Sequence, residues 1–135
     1  MSDTLAGGCL CGDLRYEVSG APVHVFHCHC SMCRRAGGTA FQTWAGFEAD
    51  AVTVTQGTAA RYKSSSFATR SFCGRCGGQL FFKYTTGQTP PVWVTVGSLD
   101  HPELLSPERH VFEEDRVPWV HMADGLPRTG GDPEL

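Results

Sequence analysis

Short runs in which apolar or β-branched residues alternate with polar ones recur along this chain: Leu14-Arg15-Tyr16-Glu17-Val18, Val23-His24-Val25-Phe26, Phe41-Gln42-Thr43-Trp44, Val52-Thr53-Val54-Thr55, Gln79-Leu80-Phe81-Phe82-Lys83-Tyr84 and Val92-Trp93-Val94-Thr95-Val96. A period of two places successive side chains on opposite faces of a strand, so each run predicts a strand. Turn signals separate them, among them Ser19-Gly20, Gly37-Gly38, Gly77-Gly78 and Pro90-Pro91. Helix is scarce: Ser31-Met32-Cys33-Arg34-Arg35-Ala36 predicts one turn capped by Ser31, and His101-Pro102-Glu103-Leu104-Leu105 predicts another. The expected class is mainly β. One domain is expected over residues 1–122, and the polar, Gly- and Pro-rich residues 123–135 read as a flexible C-terminal tail.

A length of 135 residues suits a single domain with its own core. The net charge of −3 argues against a nucleic-acid partner, which needs a basic face to exchange for counterions. No apolar run approaches the roughly 18 to 20 residues of a membrane span, and Met1–Gly8 has no basic stretch leading into an apolar one. Cytoplasmic localisation is the expectation.

The seven cysteines change the picture most. They fall into three groups: Cys9-Leu10-Cys11, Cys28-His29-Cys30-Ser31-Met32-Cys33 and Cys73-Gly74-Arg75-Cys76. A disulfide framework is disfavoured by the odd count and by cysteines too close in sequence to pair readily. An iron–sulfur cluster is a further option for four thiolates. Zinc fits the spacings better, because protein-only sites take four ligands and catalytic sites usually take three. If Cys9 and Cys11 lie on a strand, both face one side, and Cys73 and Cys76 around a glycine-bearing turn complete a closed structural site. Cys28, Cys30 and Cys33 lack a fourth ligand. Either the place is open for a substrate thiol, or His24, His27 or His29 closes a second structural site; a histidine beside a metal is more often an outer hydrogen-bond donor.

These motifs resemble the glutathione-dependent formaldehyde-activating enzymes, whose domain is shared with centromere protein V. The resemblance runs from Gly8 to about Trp119. It rests on Gly8-Cys9-Leu10-Cys11-Gly12 followed by Tyr16, on Cys28-His29-Cys30-Ser31-Met32-Cys33-Arg34 followed by Gly37-Gly38, and on Arg70-Ser71-Phe72-Cys73-Gly74-Arg75-Cys76-Gly77. Gly97-Ser98-Leu99-Asp100 and His110-Val111-Phe112 ahead of Trp119 add weaker signals. The resemblance implies a β-tent fold of short antiparallel sheets with zinc-binding cysteine loops. It implies two zinc ions, a structural one on Cys9, Cys11, Cys73 and Cys76 and a catalytic one on Cys28, Cys30 and Cys33. It further implies a carbon–sulfur lyase of the S-(hydroxymethyl)glutathione synthase type, with a small-molecule thiol and an aldehyde as partners. The alternatives are a lyase acting on another thiol adduct and a non-catalytic, zinc-stabilised protein-binding module.

Arg34 is the expected anchor for an anionic thiol substrate, with Lys63, Arg70 and Arg75 as further cations able to approach; each is equally readable as a solvated surface charge. Phe41, Trp44, Phe47 and Trp93 are expected in the core rather than around a pocket. Tyr62-Lys63-Ser64-Ser65-Ser66 is expected to be a loop, and His101, His110 and His121 have no assigned partner. The Thr85–Pro91 connection is a candidate pocket border.

Overall fold

Ten strands and one short helix make up a computed structural model that describes residues 4–85 and 91–131. In chain order they are β1 (Leu5–Gly8), β2 (Arg15–Val18), β3 (His24–Cys28), α1 (Ser31–Gly37), β4 (Gln42–Phe47), β5 (Val52–Gln56), β6 (Ala60–Ser65), β7 (Ala68–Phe72), β8 (Gln79–Tyr84), β9 (Val92–Thr95) and β10 (Arg109–Val111). All six alternating runs lie on strands. They assemble into a three-stranded sheet, β1-β2-β5, and a seven-stranded sheet, β10-β3-β4-β9-β8-β7-β6. The second sheet is larger than short antiparallel sheets would be, and it is mixed: β10 joins β3 in parallel, Val111 opposite Cys28.

The two faces of the seven-stranded sheet are chemically distinct, and strand alternation is the cause. Val25, Ala45, Val94 and Phe81 stand side by side in register and join Tyr16, Val18, Leu80 and Phe47 in the main core, which draws on both sheets. Their neighbours Phe26, Trp44 and Trp93 belong to a second cluster with Cys28, Cys33 and Val111. The β4–β9 pair sets Gly46 opposite Trp93, and a Cβ at Gly46 would lie 2.7 to 2.9 Å from the Trp93 ring. Only glycine lets that indole lie against β4.

Several expectations from sequence are corrected. Residues 62–65 are not a loop but part of β6, a mostly exposed strand at the sheet edge, where polar side chains need no burial. The cap of α1 is Cys30 rather than Ser31: its Sγ accepts a hydrogen bond from the Cys33 N–H at 3.2 Å. The second helical turn is a 3-10 turn, Pro102–Leu104. Residues 124–131, read as the start of a tail, are laid along β10. The His110 N–H donates to the Pro127 carbonyl, the Thr129 N–H to the His110 carbonyl, and the Phe112 N–H to the Gly131 carbonyl. Residues 86–90, the heart of the Thr85–Pro91 connection, and 132–135 lie outside the described residues. No helix among the described residues is long and apolar enough to cross a membrane.

Candidate active site

Two groups of thiols are gathered closely enough to share an ion. In the outer group, the sulfurs of Cys9, Cys11, Cys73 and Cys76 all lie within 4.8 Å of one another. Cys9 and Cys11 are 3.6 Å apart, and Cys11 and Cys73 are 3.7 Å apart. A tetrahedron with zinc–sulfur bonds of about 2.3 Å has edges of about 3.8 Å, so the spacing fits the ion. Cys9 and Cys11 do not lie on a strand as expected. β1 stops at Gly8 and the chain turns, with the Gly12 N–H donating to the Cys9 carbonyl and Gly12 at φ +85°. The turn from Cys9 to Gly12 brings the two sulfurs together, and the left-handed Gly12 carries the chain out of it. The second pair sits on the β7–β8 connection, where the Gly77 N–H donates to the Cys73 carbonyl at 2.8 Å. Backbone N–H groups surround these sulfurs: Leu14 on Cys9, Arg75 and Cys76 on Cys73. N–H donors from Cys11 and Gly78 hold the Cys76 thiol down at about 6.

The inner group is Cys28 at the end of β3, Cys30 at the helix cap and Cys33 within α1. Their sulfurs also meet within 4.8 Å, and among the described residues no fourth histidine, cysteine or carboxylate joins them. Cys28 and Cys33 are buried. Hydrogen bonds from Cys28 and Cys30 pull the Cys33 pKa well below the ordinary thiol value, and Arg70 adds to this. Cys28 moves the other way, raised as a donor to Cys30 and Cys33 and by burial. The three thiols share hydrogen bonds, and Cys33 is the one that lies beside a cation.

Arg70 is the cation that the fold delivers there. It lies on β7, is 6% exposed, and its Nη2 is 3.7 Å from the Cys33 sulfur. Its guanidinium stacks 4.8 Å from the centre of Phe82, its partner across the β7–β8 pair. Its Nη1 is buried with no hydrogen-bond partner among the described residues. The other arginines go elsewhere. Arg34, the expected anchor, lines a surface cleft with Val117 and Trp119 and does not border the cavity over the thiols. Arg75 pairs with Asp13 at 3.1 Å beside the outer group, and Lys63 is exposed on β6.

None of the three candidate histidines closes the inner site. His24 bonds Glu108 and His27 bonds Thr43. His29, fully buried, turns away: its Nε2 is 2.8 Å from His110 Nδ1, and His110 Nε2 is 2.7 Å from Asp124. With Asp124 ionised, the protons order themselves along this line. His110 donates from Nε2 and accepts at Nδ1 from His29, which leaves a lone pair on the partnerless His29 Nδ1. The line was invisible in the sequence because its members are 81 and 14 residues apart.

A cavity of about 240 Å³ opens above the inner thiols, walled by Phe26, Trp44, Phe82, Trp93 and Phe112, with Phe67 and Met32 at its half-exposed edge. The buried Trp44 and Trp93, expected to be core, are thus walls as well. A groove of about 640 Å³ adjoins it and shares Met32 and Arg70. Arg35, Tyr62, Ser64 and Gln79 line the groove, and both amide atoms of Gln79 are buried without a partner.

Comparison with known proteins places the chain in a family. The family model for the glutathione-dependent formaldehyde-activating enzyme matches residues 4–115. An uncharacterized lyase of Schizosaccharomyces pombe is 33% identical over 84 residues, 62% of this chain and 61% of that protein, so the match spans about three fifths of the relative. A Halomonas elongata protein, provisionally named as a glutathione-dependent formaldehyde-activating enzyme, is 28% identical over 130 residues, 87% of this chain and 80% of its own. A crystal structure of a Rhodobacter sphaeroides protein shares the fold with a TM-score of 0.55 at 22% identity, covering 92% of this chain and 99% of that one.

Proposed function

The chain belongs to the family of glutathione-dependent formaldehyde-activating enzymes, and from that premise we propose that it joins a small thiol to an aldehyde and releases the two again in reverse. The observation that carries this reading is three thiols meeting at the floor of a cavity beside one buried guanidinium, with no fourth protein ligand among the described residues. In this reading Cys9, Cys11, Cys73 and Cys76 hold a structural zinc ion, and Cys28, Cys30 and Cys33 hold a second. A zinc ion held by Cys28, Cys30 and Cys33 would supply the Lewis acidity that lowers the pKa of a substrate thiol, so that it reacts as a thiolate.

The protein's own residues do the rest. Arg70 balances the anionic cysteines through Nη2, and its free Nη1 is available to the carbonyl oxygen as charge develops on it. The thiol gives up its proton and a sulfur lone pair forms the bond to the carbonyl carbon. The C=O π pair moves to oxygen, and oxygen takes up one proton. The sum is one thiol and one aldehyde to one hydroxyalkyl thioether, with no oxidant. In the lyase direction the hydroxyl loses its proton, C=O re-forms and the C–S bond breaks. The apolar walls exclude the water that would compete for the aldehyde. Arg35, Arg70 and the unpartnered Gln79 amide in the groove suit a thiol that carries carboxylates and peptide groups, as glutathione does. Seven free cysteines suit a reducing compartment such as the cytoplasm.

Exchange-spectroscopy NMR of equilibrated glutathione and formaldehyde tests this reading, comparing zinc-loaded wild type, Cys30→Ser and a protein-free sample. Faster adduct exchange with wild type alone is expected. No acceleration from protein carrying two zinc equivalents would reject this substrate pair.

A further inference from the structure

We infer that the aldehyde partner carries a flat apolar group, of the aryl aldehyde class, which occupies the cavity above Cys28, Cys30 and Cys33. The inference rests on the thiol-addition reading and narrows it. Size is the first argument. Formaldehyde is little larger than a water molecule, whose share of the liquid is about 30 Å³, whereas an apolar cavity of about 150 Å³ suffices to bind benzene. At about 240 Å³ this cavity has room for a substituted ring.

Chemistry is the second argument. Phe26, Trp44, Phe82 and Trp93 present rings, and Arg70 is the one charged side chain among the described residues of the lining. A peptide thiol with two carboxylates would find one cation, Arg70, and leave at least one carboxylate unpaired against such walls, at a heavy desolvation cost. The adjoining groove offers that thiol polar partners, and it meets the cavity at Arg70 and Met32. The two compartments thus divide the adduct: polar thiol in the groove, apolar aldehyde substituent in the cavity, and the new C–S bond between them. A buried ring recovers transfer free energy that formaldehyde cannot, giving an expected preference on the order of 10- to 100-fold in kcat/KM.

The third argument is construction. Trp93 reaches its position only because Gly46 gives up a side chain, and the Arg70 guanidinium is held over the Phe82 ring, on the wall of the space. Both arrangements keep open a volume that a formaldehyde site would not need.

The test uses the zinc-loaded 135-residue protein with glutathione and compares benzaldehyde with formaldehyde, alongside an unreactive probe, benzyl alcohol. With benzyl alcohol, saturable shifts of the Trp44 and Trp93 indole N–H resonances are expected, with the 72% exposed Trp119 as internal reference. In turnover, benzaldehyde is expected to exceed formaldehyde at least tenfold in kcat/KM, and Phe67→Ala, at the cavity edge, to narrow that ratio. Equal or better turnover of formaldehyde, or unresponsive indole resonances in a protein that still turns over an aldehyde, would overturn the aryl assignment and leave the thiol-addition reading standing. Saturable indole shifts without turnover of either aldehyde would overturn both.

Discussion

The outer and inner thiol groups hold nearly the same atoms and are built on opposite plans. Around Cys9, Cys11, Cys73 and Cys76 the sulfurs face backbone N–H groups fixed by two tight turns, close to solvent; Leu10 between the first two is 92% exposed. Around Cys28, Cys30 and Cys33 one backbone N–H serves Cys30, and the other neighbour is a side chain, Arg70, at the floor of an apolar cavity. Backbone dipoles cannot turn toward a newcomer, so the outer plan suits a permanent ion. A guanidinium with one free nitrogen can serve both the resident charge and a developing one, so the inner plan suits turnover.

Breaking the outer group should have the largest effect. A structural zinc contributes about 10 to 16 kcal/mol of apparent binding energy, against a typical folding stability of about 5 to 15 kcal/mol. Cys73→Ser is therefore expected to abolish cooperative unfolding by circular dichroism or to leave the protein insoluble. Cys30→Ser should separate the two plans. Serine is a good helix cap in its own right, so α1 keeps its start while one metal equivalent and all turnover are lost, as mass spectrometry and exchange rates would show. A midpoint drop as large as that of Cys73→Ser would erase the distinction.

Arg70→Met probes the charge balance more gently. Loss of a preorganised donor costs about 10² to 10³ in kcat, and steady-state kinetics with zinc content held equal would measure it. Gly46→Ala drives a methyl group into the Trp93 ring and should cost about 1 to 3 kcal/mol in denaturant unfolding, with altered tryptophan emission. Asp124→Asn should be the mildest. The His110 hydrogen bond holds the Asp124 carboxyl below its usual 3.8, so its contribution is fully present above that pH and is lost below it, as the pH falls through the lowered native pKa. The melting curves of mutant and wild type should differ at neutral pH and converge below pH 3.8.

Local sequence revealed the thiol grouping because ligand spacing is a short-range signal, and the six strands because each has its own alternation. Geometry that depends on one backbone torsion was not legible: Cys9-Leu10-Cys11 reads as strand until Gly12 reverses the chain. β6 escaped notice because an edge strand tolerates Lys63 and Ser64, and β10 because three residues carry no period. The cation beside the inner thiols shows the same limit. Arg34 adjoins the thiols in sequence but α1 turns it toward Trp119, while Arg70, 37 residues from Cys33, is returned by sheet pairing. That Trp44 and Trp93 are walls as well as core follows only from which face of the larger sheet the smaller one leaves uncovered.

The parallel pairing of β10 with β3 also bears on biosynthesis. His29 leaves the ribosome 81 residues before His110, its partner. At roughly 5 to 20 residues per second, that interval is about 4 to 16 s. Throughout it three reactive sulfurs wait beside an unfinished sheet, open to oxidants and to whichever soft metal arrives first. Until β10 arrives, oxidation or premature metal capture at Cys28, Cys30 and Cys33 competes with completion of the sheet.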